Sequence, residues 1–518
     1  MNDQDRFRAR GFFGLRRLAV PALMLVLAGC AAVGPDYKRP ETGTPKAWKE
    51  SDQQDATAKT LPATWWEVFG DAKLNELEDQ AKIQSPNLRA AAARVMQARA
   101  IARVSEADFY PNVTLDPAAS RDRYSENRPV QPNTPVVGYT ASHFRLPLDA
   151  SYEIDIWGRV RRAVEAADAR LDASTDEYFT VLLTLQADIA QNYFALRSLD
   201  AERDVLRRAI GIRRQALELI RVRYEGGIGT ELDVTRAQTE VASAESESIG
   251  VSRRRAEIEH AIALLIGKPP ADFALAENPL NLAPPAIPAG LPSELLVRRP
   301  DVAQAERLLA ARNAEIGVAK AAYFPSIRLT GALGFDSAEL GDLVKSGSGA
   351  GSLGVGLSLP VFDGGRIKGN VERAKAAYEE NLAQYRSRVL SAFGDVEDAL
   401  SGLRILAEQA GAQARALASA QQTAEISATR YEAGLVIFLE FVDAERTRLA
   451  TQRLATQIDG QRLVASVGLI KALGGGWQEA NRTAVPGLRQ TTATNRGQIL
   501  SSHDWPPQQA DSPTKALR

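Results

Sequence analysis

From Arg159 to Tyr224 the chain runs for roughly 66 residues without a proline and with a single glycine, Gly211. At ~1.5 Å per residue that is about 100 Å of helix, longer than a compact domain can hold. Apolar residues recur every seven positions at Leu182, Ile189, Leu196, Ile210, Leu217 and Tyr224, with Arg203 as the one exception. A second such stretch carries Leu382, Val389, Val396, Leu403, Ala410, Leu417, Ala424 and Tyr431. Sustained heptads with small alanine positions predict close helix-helix seams over the whole length. Helices expected near 86–108 and 231–267 together nearly match the long one, so two short helices end to end can run beside it.

The two stretches are parts of a duplication with a period of about 210 residues, far beyond a solenoid repeat. Ser85-Pro86-Asn87-Leu88 opens a helix that stops at Phe109-Tyr110-Pro111, and Arg299-Pro300-Asp301-Val302 opens one that stops at Tyr323-Phe324-Pro325. Proline is tolerated at the first helical position and forbids continuation at the last. Further on, Arg223-Tyr224-Glu225-Gly226-Gly227 matches Arg430-Tyr431-Glu432-Ala433-Gly434.

Between these landmarks the period changes to two. Phe144, Leu146, Leu148, Ala150, Tyr152, Ile154 and Ile156 alternate with polar residues or proline, which predicts a strand with one apolar face. Val113-Thr114-Leu115 opens its partner. The second copy offers Ile327 to Phe335 and then Leu353, Val355, Leu357, Leu359 and Val361. Polar segments near 117–142 and 337–352 read as the hairpin loops. Gly349-Ala350-Gly351-Ser352-Leu353-Gly354 fits a dinucleotide pattern by letters but precedes a strand, so it is expected to be loop. Tyr224 and Tyr431, at the seam ends, are expected in the core.

Whether such hairpins pack on a soluble core or face lipid depends on where the chain goes. Five arginines, the apolar run Leu18 to Leu27 and then Ala28-Gly29-Cys30 form a signal peptide whose apolar part is too short to span a bilayer. Leu27-Ala28-Gly29-Cys30 resembles the bacterial lipobox, which implies cleavage after residue 29 and acylation of Cys30, the only cysteine. Ala31, not Asp, follows it, and by the same resemblance this favours the outer membrane. Cleavage removes five Arg and two Asp and takes the formal charge from -1 to -4. No basic field is left to attract nucleic acid. With three scattered histidines and one cysteine, no metal centre or disulfide framework is expected. No Ser/His/Asp arrangement or phosphate loop occurs, so no catalytic residues, cofactor or enzymatic activity are expected.

In an outer membrane, an apolar-out, polar-in alternation predicts a transmembrane β-barrel. Four strands per chain cannot close one, because membrane barrels begin at about eight. Two chains would fill the interior, whereas three give twelve strands and room for a channel. The trimer is preferred.

Cys30-Ala31-Ala32-Val33-Gly34-Pro35-Asp36-Tyr37, Arg298-Arg299-Pro300-Asp301-Val302, Tyr323-Phe324-Pro325-Ser326-Ile327 and Leu359-Pro360-Val361-Phe362-Asp363-Gly364-Gly365-Arg366 resemble the TolC/OprM family of outer-membrane efflux channels, in its lipoprotein, NodT-like branch. The resemblance covers nearly the whole mature chain to about Trp477. It implies a mixed, mainly α fold: a trimeric twelve-stranded transmembrane β-barrel continued by a long coiled α-helical barrel, with an equatorial belt at the joint. The expected divisions are a signal peptide (1–29), a lipid-anchored equatorial segment (30–85), a first repeat (86–267), a Pro-rich crossover (268–298), a second repeat (299–474) and a polar tail (475–518). The implied partners are two further copies of the chain, outer-membrane lipid, a periplasmic adaptor and an inner-membrane transporter, preferably of the RND type.

By the same resemblance the turns at Gly226, Gly227, Gly434, Leu435 and Val436 form the periplasmic tip that meets the adaptor. Glu440 and Asp443, three apart on one helix face, match the family's acidic constriction, and three copies would ring a pore with six carboxylates. Acids in a first helical turn also stabilise the macrodipole, by about 0.3–1 kcal/mol. That simpler role is expected of Asp233, which has Thr230 as a capping partner, although it too is a pore candidate. Val436 stands where the family's best-known member has a gate arginine, so Leu439 is expected to add an apolar ring. The expected function is a passive efflux duct for small molecules. Alternatives are an exit duct for type I protein secretion and a pore-less, periplasm-spanning structural lipoprotein.

Overall fold

The computed structural model describes residues 32–50, 61–127, 137–280, 282–290, 292, 295 and 298–477. Cys30, most of the tail and part of the first hairpin loop lie outside the described residues. Helix α1 (Ala72–Gln84) precedes the first copy, which consists of α2 (Pro86–Ala107), β1 (Asn112–Leu115), β2 (Ala118–Tyr124), β3 (Tyr139–Ile154), α3 (Arg159–Glu225) and α4 (Glu231–Leu265). The second contains α5 (Pro300–Ala321), β4 (Ser326–Ser337), β5 (Gly349–Ser358), α6 (Arg366–Glu432) and α7 (Phe438–Ala472). Helices of 22, 67 and 35 residues recur in the same order in both copies.

The helices form a slab of four lanes. Helices α2 and α4 both lie along α3, α5 and α7 both lie along α6, and α3 also packs on α5 and α7. The lane order is therefore α2/α4, α3, α5/α7, α6. Each long helix starts after a left-handed glycine, Gly158 (φ 80°) or Gly365 (φ 89°), with an aspartate capping the first turn. Asp155 accepts from the backbone N–H of Val160 and Arg161, and Asp363 from that of Gly365 and Ile367.

The strands form one antiparallel sheet, ordered β1, β3, β4, β5, with β2 also paired to β3. Five strands make four lanes, since β1 and β2 keep a single register on β3, with Leu115 opposite Leu148 and Ala118 opposite Arg145. They part at Asp116 and Pro117 because proline has no N–H to give the ladder.

Four expectations at the strands are corrected. Residues 118–124, expected within the first hairpin loop, form β2. Strand β3 begins at Tyr139 and stops at Ile154, and Ile156 belongs to the turn that follows, its N–H donating to the Ile154 carbonyl at 2.9 Å. Residues Gly349 to Gly354 are not loop but part of β5, where small residues alternate with Leu353, Val355 and Leu357. That strand ends at Ser358, so Leu359 and Val361 lie beyond it.

The mixed core expected at the joint of sheet and slab lies instead midway along the long helices, where α4 ends and α2 begins: Trp65, Trp66, Tyr193, Phe194 and Leu74 pack there, about 50 Å from the start of α3. Residues 32–50 run as a strap from the sheet end of the slab down toward this core. The Val33 N–H donates to the Trp157 carbonyl at 2.8 Å, Arg162 pairs with Asp36 at 2.6 Å and Arg39 with Glu306 at 2.9 Å. At the far end Arg404 holds Glu50 at 2.8 Å.

Candidate channel wall and tip

The cross-strand register sorts the sheet into two faces. Paired rows on one face are Ile154 with Ile327 and Leu357, Tyr152 with Leu329 and Val355, Ala150 with Val113 and Leu353, and Leu148 with Leu115 and Leu333. Leu146 with Phe335 and then Phe144 with Ala119 complete it. The other face carries Glu153 with Arg328, Ser151 with Asn112 and Thr330, Asp149 with Thr114 and Ser352, and Arg145 with Asp336. Ten residue steps separate Ile154 from Phe144, about 33 Å along the strand, or roughly 25 Å of height at a tilt near 40°. Leu353, Val355, Leu357 and Leu333 are 69–88% exposed on the apolar face. A face this greasy and bare, as tall as a bilayer core, is the lipid side of a wall.

Aromatics mark the helical end of that band. Trp157 stacks on Phe324 at 4.6 Å, and Tyr110 and Tyr323 are exposed beside them. This is the belt expected where hydrocarbon gives way to water. No described helix is long and apolar enough to cross a membrane.

Both the sheet and the slab have two unpaired sides. Lane β1/β2 and strand β5 are open edges of the sheet. Lane α2/α4 and helix α6 bound the slab, and Met96, Ile101, Ile249, Leu390, Ile405 and Ile426 are all more than half exposed on them. An open edge inside a bilayer leaves backbone groups without partners at several kcal/mol each, so the wall must close on itself.

At the remote end two five-residue turns reverse the chain, 226–230 and 433–437. Gly227 (φ 73°) and Gly434 (φ 75°) adopt the left-handed conformation that glycine permits, whereas Gly226 (φ -79°) does not need it. The turns are held together by an aromatic cluster that the sequence reading missed. Tyr431 stacks on Phe441 at 5.5 Å and meets Phe438 at 5.7 Å, and Ile220, Ala237 and Val442 complete the buried core. The Arg223 guanidinium lies 4.8 Å from the Tyr431 ring centre and reaches the Glu432 carbonyl, joining the first copy to the second. The signal was readable, since Phe438, Phe441 and Val442 are spaced i, i+3, i+4.

With Phe438, Phe441 and Val442 turned inward, helical geometry leaves Leu439, Glu440 and Asp443 on the opposite, exposed face. Asp233 is engaged locally: its N–H donates to Thr230 Oγ1 at 3.2 Å, and that hydroxyl donates to its carboxylate at 2.8 Å. Ile437 caps α7 without any side-chain bond, so Glu440 has no such partner. Leu435 is 69% exposed, while Val436 is half-buried against the aromatic cluster. Tyr431 is buried as expected, but Tyr224 is 45% exposed. It lacks the aromatic partners of its twin, because Glu231 and Val234 stand where the second copy has Phe438 and Phe441.

One turn further in, buried Glu240 on α4 takes Arg213 of α3 at 3.3 Å and Arg446 of α7. The hydrogen bonds that Arg446 donates to Glu240 lift its guanidinium above its ordinary value, with Asp443 adding to the effect. Beyond it Arg453 of α7 holds buried Glu202 of α3 at 2.7 Å. Helix α7 is thus pinned to the first copy by charges at two levels. Among the described residues no cluster of His, Cys, Asp and Glu could hold a metal ion.

A wall with a lipid face, a polar face and a helical extension about 100 Å long defines the chain as one segment of an outer-membrane channel. It belongs to the outer membrane efflux protein family, whose profile matches residues 77–268 and 291–475. It is similar to the pyoverdine export outer membrane protein OpmQ of Pseudomonas aeruginosa, 34% identical over 471 residues covering 90% of this chain and 98% of that protein. It also resembles the cation efflux system protein CusC of Escherichia coli, 32% identical over 460 residues covering 88% and 97%. Among solved structures, the open state of the Neisseria gonorrhoeae MtrE outer membrane channel superposes with a TM-score of 0.78 at 30% identity, covering 86% of this chain and 99% of that one. The chain is an outer-membrane efflux channel component, of a family of ducts and not of enzymes.

Proposed function

We propose that three copies close into the duct, with twelve strands through the outer membrane and twelve helical lanes through the periplasm, and that it opens at the helical tip. The four-lane wall with two open edges carries this reading, because each edge finds its complement only on another copy. Leu439, Glu440 and Asp443 line the constriction, and Asp233 serves its own helix by holding the capping hydroxyl of Thr230. Gly226, Gly227, Gly434, Leu435 and Val436 meet a periplasmic adaptor, which links the duct to an inner-membrane transporter of the RND type. Cys30 carries the acyl anchor. Its support is the strap: the Val33 N–H is bonded to the Trp157 carbonyl, so residue 33, three positions after Cys30, sits at the aromatic belt. Cargo is chosen upstream, since relatives named for pyoverdine and for cations share this wall at 32–34% identity.

Planar-bilayer recording tests the pore. The wild-type channel should prefer cations, and Glu440→Gln with Asp443→Asn should abolish the preference. Unchanged selectivity would remove the two acids from the constriction. A photocrosslinker at the exposed Leu435 should capture an adaptor in cells. Capture with an ABC transporter instead would move the reading to protein secretion.

A further inference from the structure

The register of β2 on β3 places Arg121 opposite Ser142 and Arg123 opposite Thr140, two and four residues beyond the pair of Ala119 with Phe144. Directly paired residues share a face, so both arginines stand on the apolar, lipid side of the wall, just past its last large apolar row. This hairpin outruns β4, whose last paired residue, Ser337, lies opposite Phe144. At ~3.3 Å per residue the arginines are about 7 and 13 Å along the strand beyond that row, the depth of a headgroup layer.

Both arginines are exposed, and neither forms an ion pair among the described residues. The acid between them, Asp122, points to the polar face and accepts from Ser120 at 2.9 Å. His143 on that face likewise bonds Asp336. The outer face of the hairpin therefore presents Arg121, Arg123, Ser142 and Thr140, all hydrogen-bond donors, with no carboxylate among them. In the second hairpin Lys345 is already paired with Asp342.

We propose that Arg121 and Arg123, with the Ser142 and Thr140 hydroxyls, bind the phosphate groups of a phosphorylated lipid in the outer leaflet. Guanidinium forks suit phosphate oxygens, and their stems can lie along the acyl chains below. The site rests on the reading of the sheet as a lipid-facing wall. It would fix the rotation and height of the channel in the membrane independently of the anchor at its other rim.

The test uses the full chain, purified as the assembled channel and titrated with bisphosphorylated lipid A or its phosphate-free counterpart, with bound lipid counted by native mass spectrometry. Wild type should prefer the phosphorylated lipid. Arg121→Gln with Arg123→Gln should bind it roughly thirtyfold more weakly, about fivefold per arginine near a membrane surface. Arg121→Lys with Arg123→Lys should keep most of the affinity, and serves if the Gln variant fails to assemble. Equal binding of the two lipids, or no loss in the Gln variant, overturns the proposal. Displacement by millimolar inorganic phosphate makes it a free-anion site and overturns the lipid assignment. Failure of both lipids to bind wild type sinks the lipid-facing wall itself.

Discussion

Helices α3 and α6 are equal in length and share their landmarks, yet 25 residues of α3 are buried within the chain against 11 of α6. Leu196 is fully buried, whereas Leu403, its counterpart in the second heptad seam, is half-buried. Arg197 is 6% exposed and bonded to Asp200, while its counterpart Arg404 is 41% exposed and bonded to Glu50 and Glu408. The difference lies in lane position. Helix α3 has a lane on either side, and α6 is an edge that awaits another copy. One heptad pattern therefore serves a core in the first copy and an interface in the second.

The largest way to break this comparison is Asp200→Ala. Asp200 is buried between Arg197 at 3.0 Å and Arg255 at 2.6 Å, and those arginines in turn hold the Ala276 and Leu275 carbonyls of the crossover. Burial alone would pull the Arg255 guanidinium down, but its bond to Asp200 leaves it raised. Removing the carboxylate strands buried Arg197 and leaves Arg255 with Glu259 alone, at about 3–5 kcal/mol, read as a loss of thermal stability of the assembled channel. Position 407, the counterpart of Asp200, is already alanine.

Next come the paired truncations. Leu196→Ala should cost about 2–5 kcal/mol by thermal unfolding. Leu403→Ala should cost about 1 kcal/mol within a chain and act mainly on assembly, measured as the fraction of oligomer surviving dilution. Equal stability losses would show that both seams are cores.

A graded effect belongs to Glu78 on α1, which has no described counterpart in the second copy. It is fully buried, neither carboxylate oxygen has a partner, and burial raises its pKa well above the ordinary carboxylate value. Below the unfolded-state value both states hold the proton and Glu78 costs nothing extra. As pH rises past it the unfolded chain ionises first, so stability falls by about 1.4 kcal/mol per pH unit until the folded-state value is passed. Glu78→Gln should abolish that slope in a melting series from pH 4 to 7. The smallest effect is expected from Arg404→Ala, whose melting temperature should match wild type because its ion pairs lie in solvent.

Much of this architecture is legible in the letters, and the failures have physical causes. Proline at 86 and 300 marks the helix starts because its missing N–H is harmless there. Strand β5 reads as loop over Gly349 to Gly354 because Gly349 and Gly351 occupy its apolar face, opposite Phe335 and Leu333, and so erase the alternation there. The acids Glu440 and Asp443 could be placed on one helix face from spacing alone. Their exposure depends on the Tyr431, Phe438 and Phe441 cluster, which joins residues from four helices and one turn. Charge pairs such as Glu202 with Arg453, 251 residues apart, have no local signature.

The strap sets a clock on folding. Glu50 is bonded to Arg404, which follows it by 354 residues. At about 5–20 residues per second Glu50 waits roughly 20–70 s for that partner to be synthesised. Val33 and Asp36 wait far less, since Trp157 and Arg162 belong to the first copy. The strap can therefore close from its membrane end downward, and only the docking of its far end reports that the second copy has arrived.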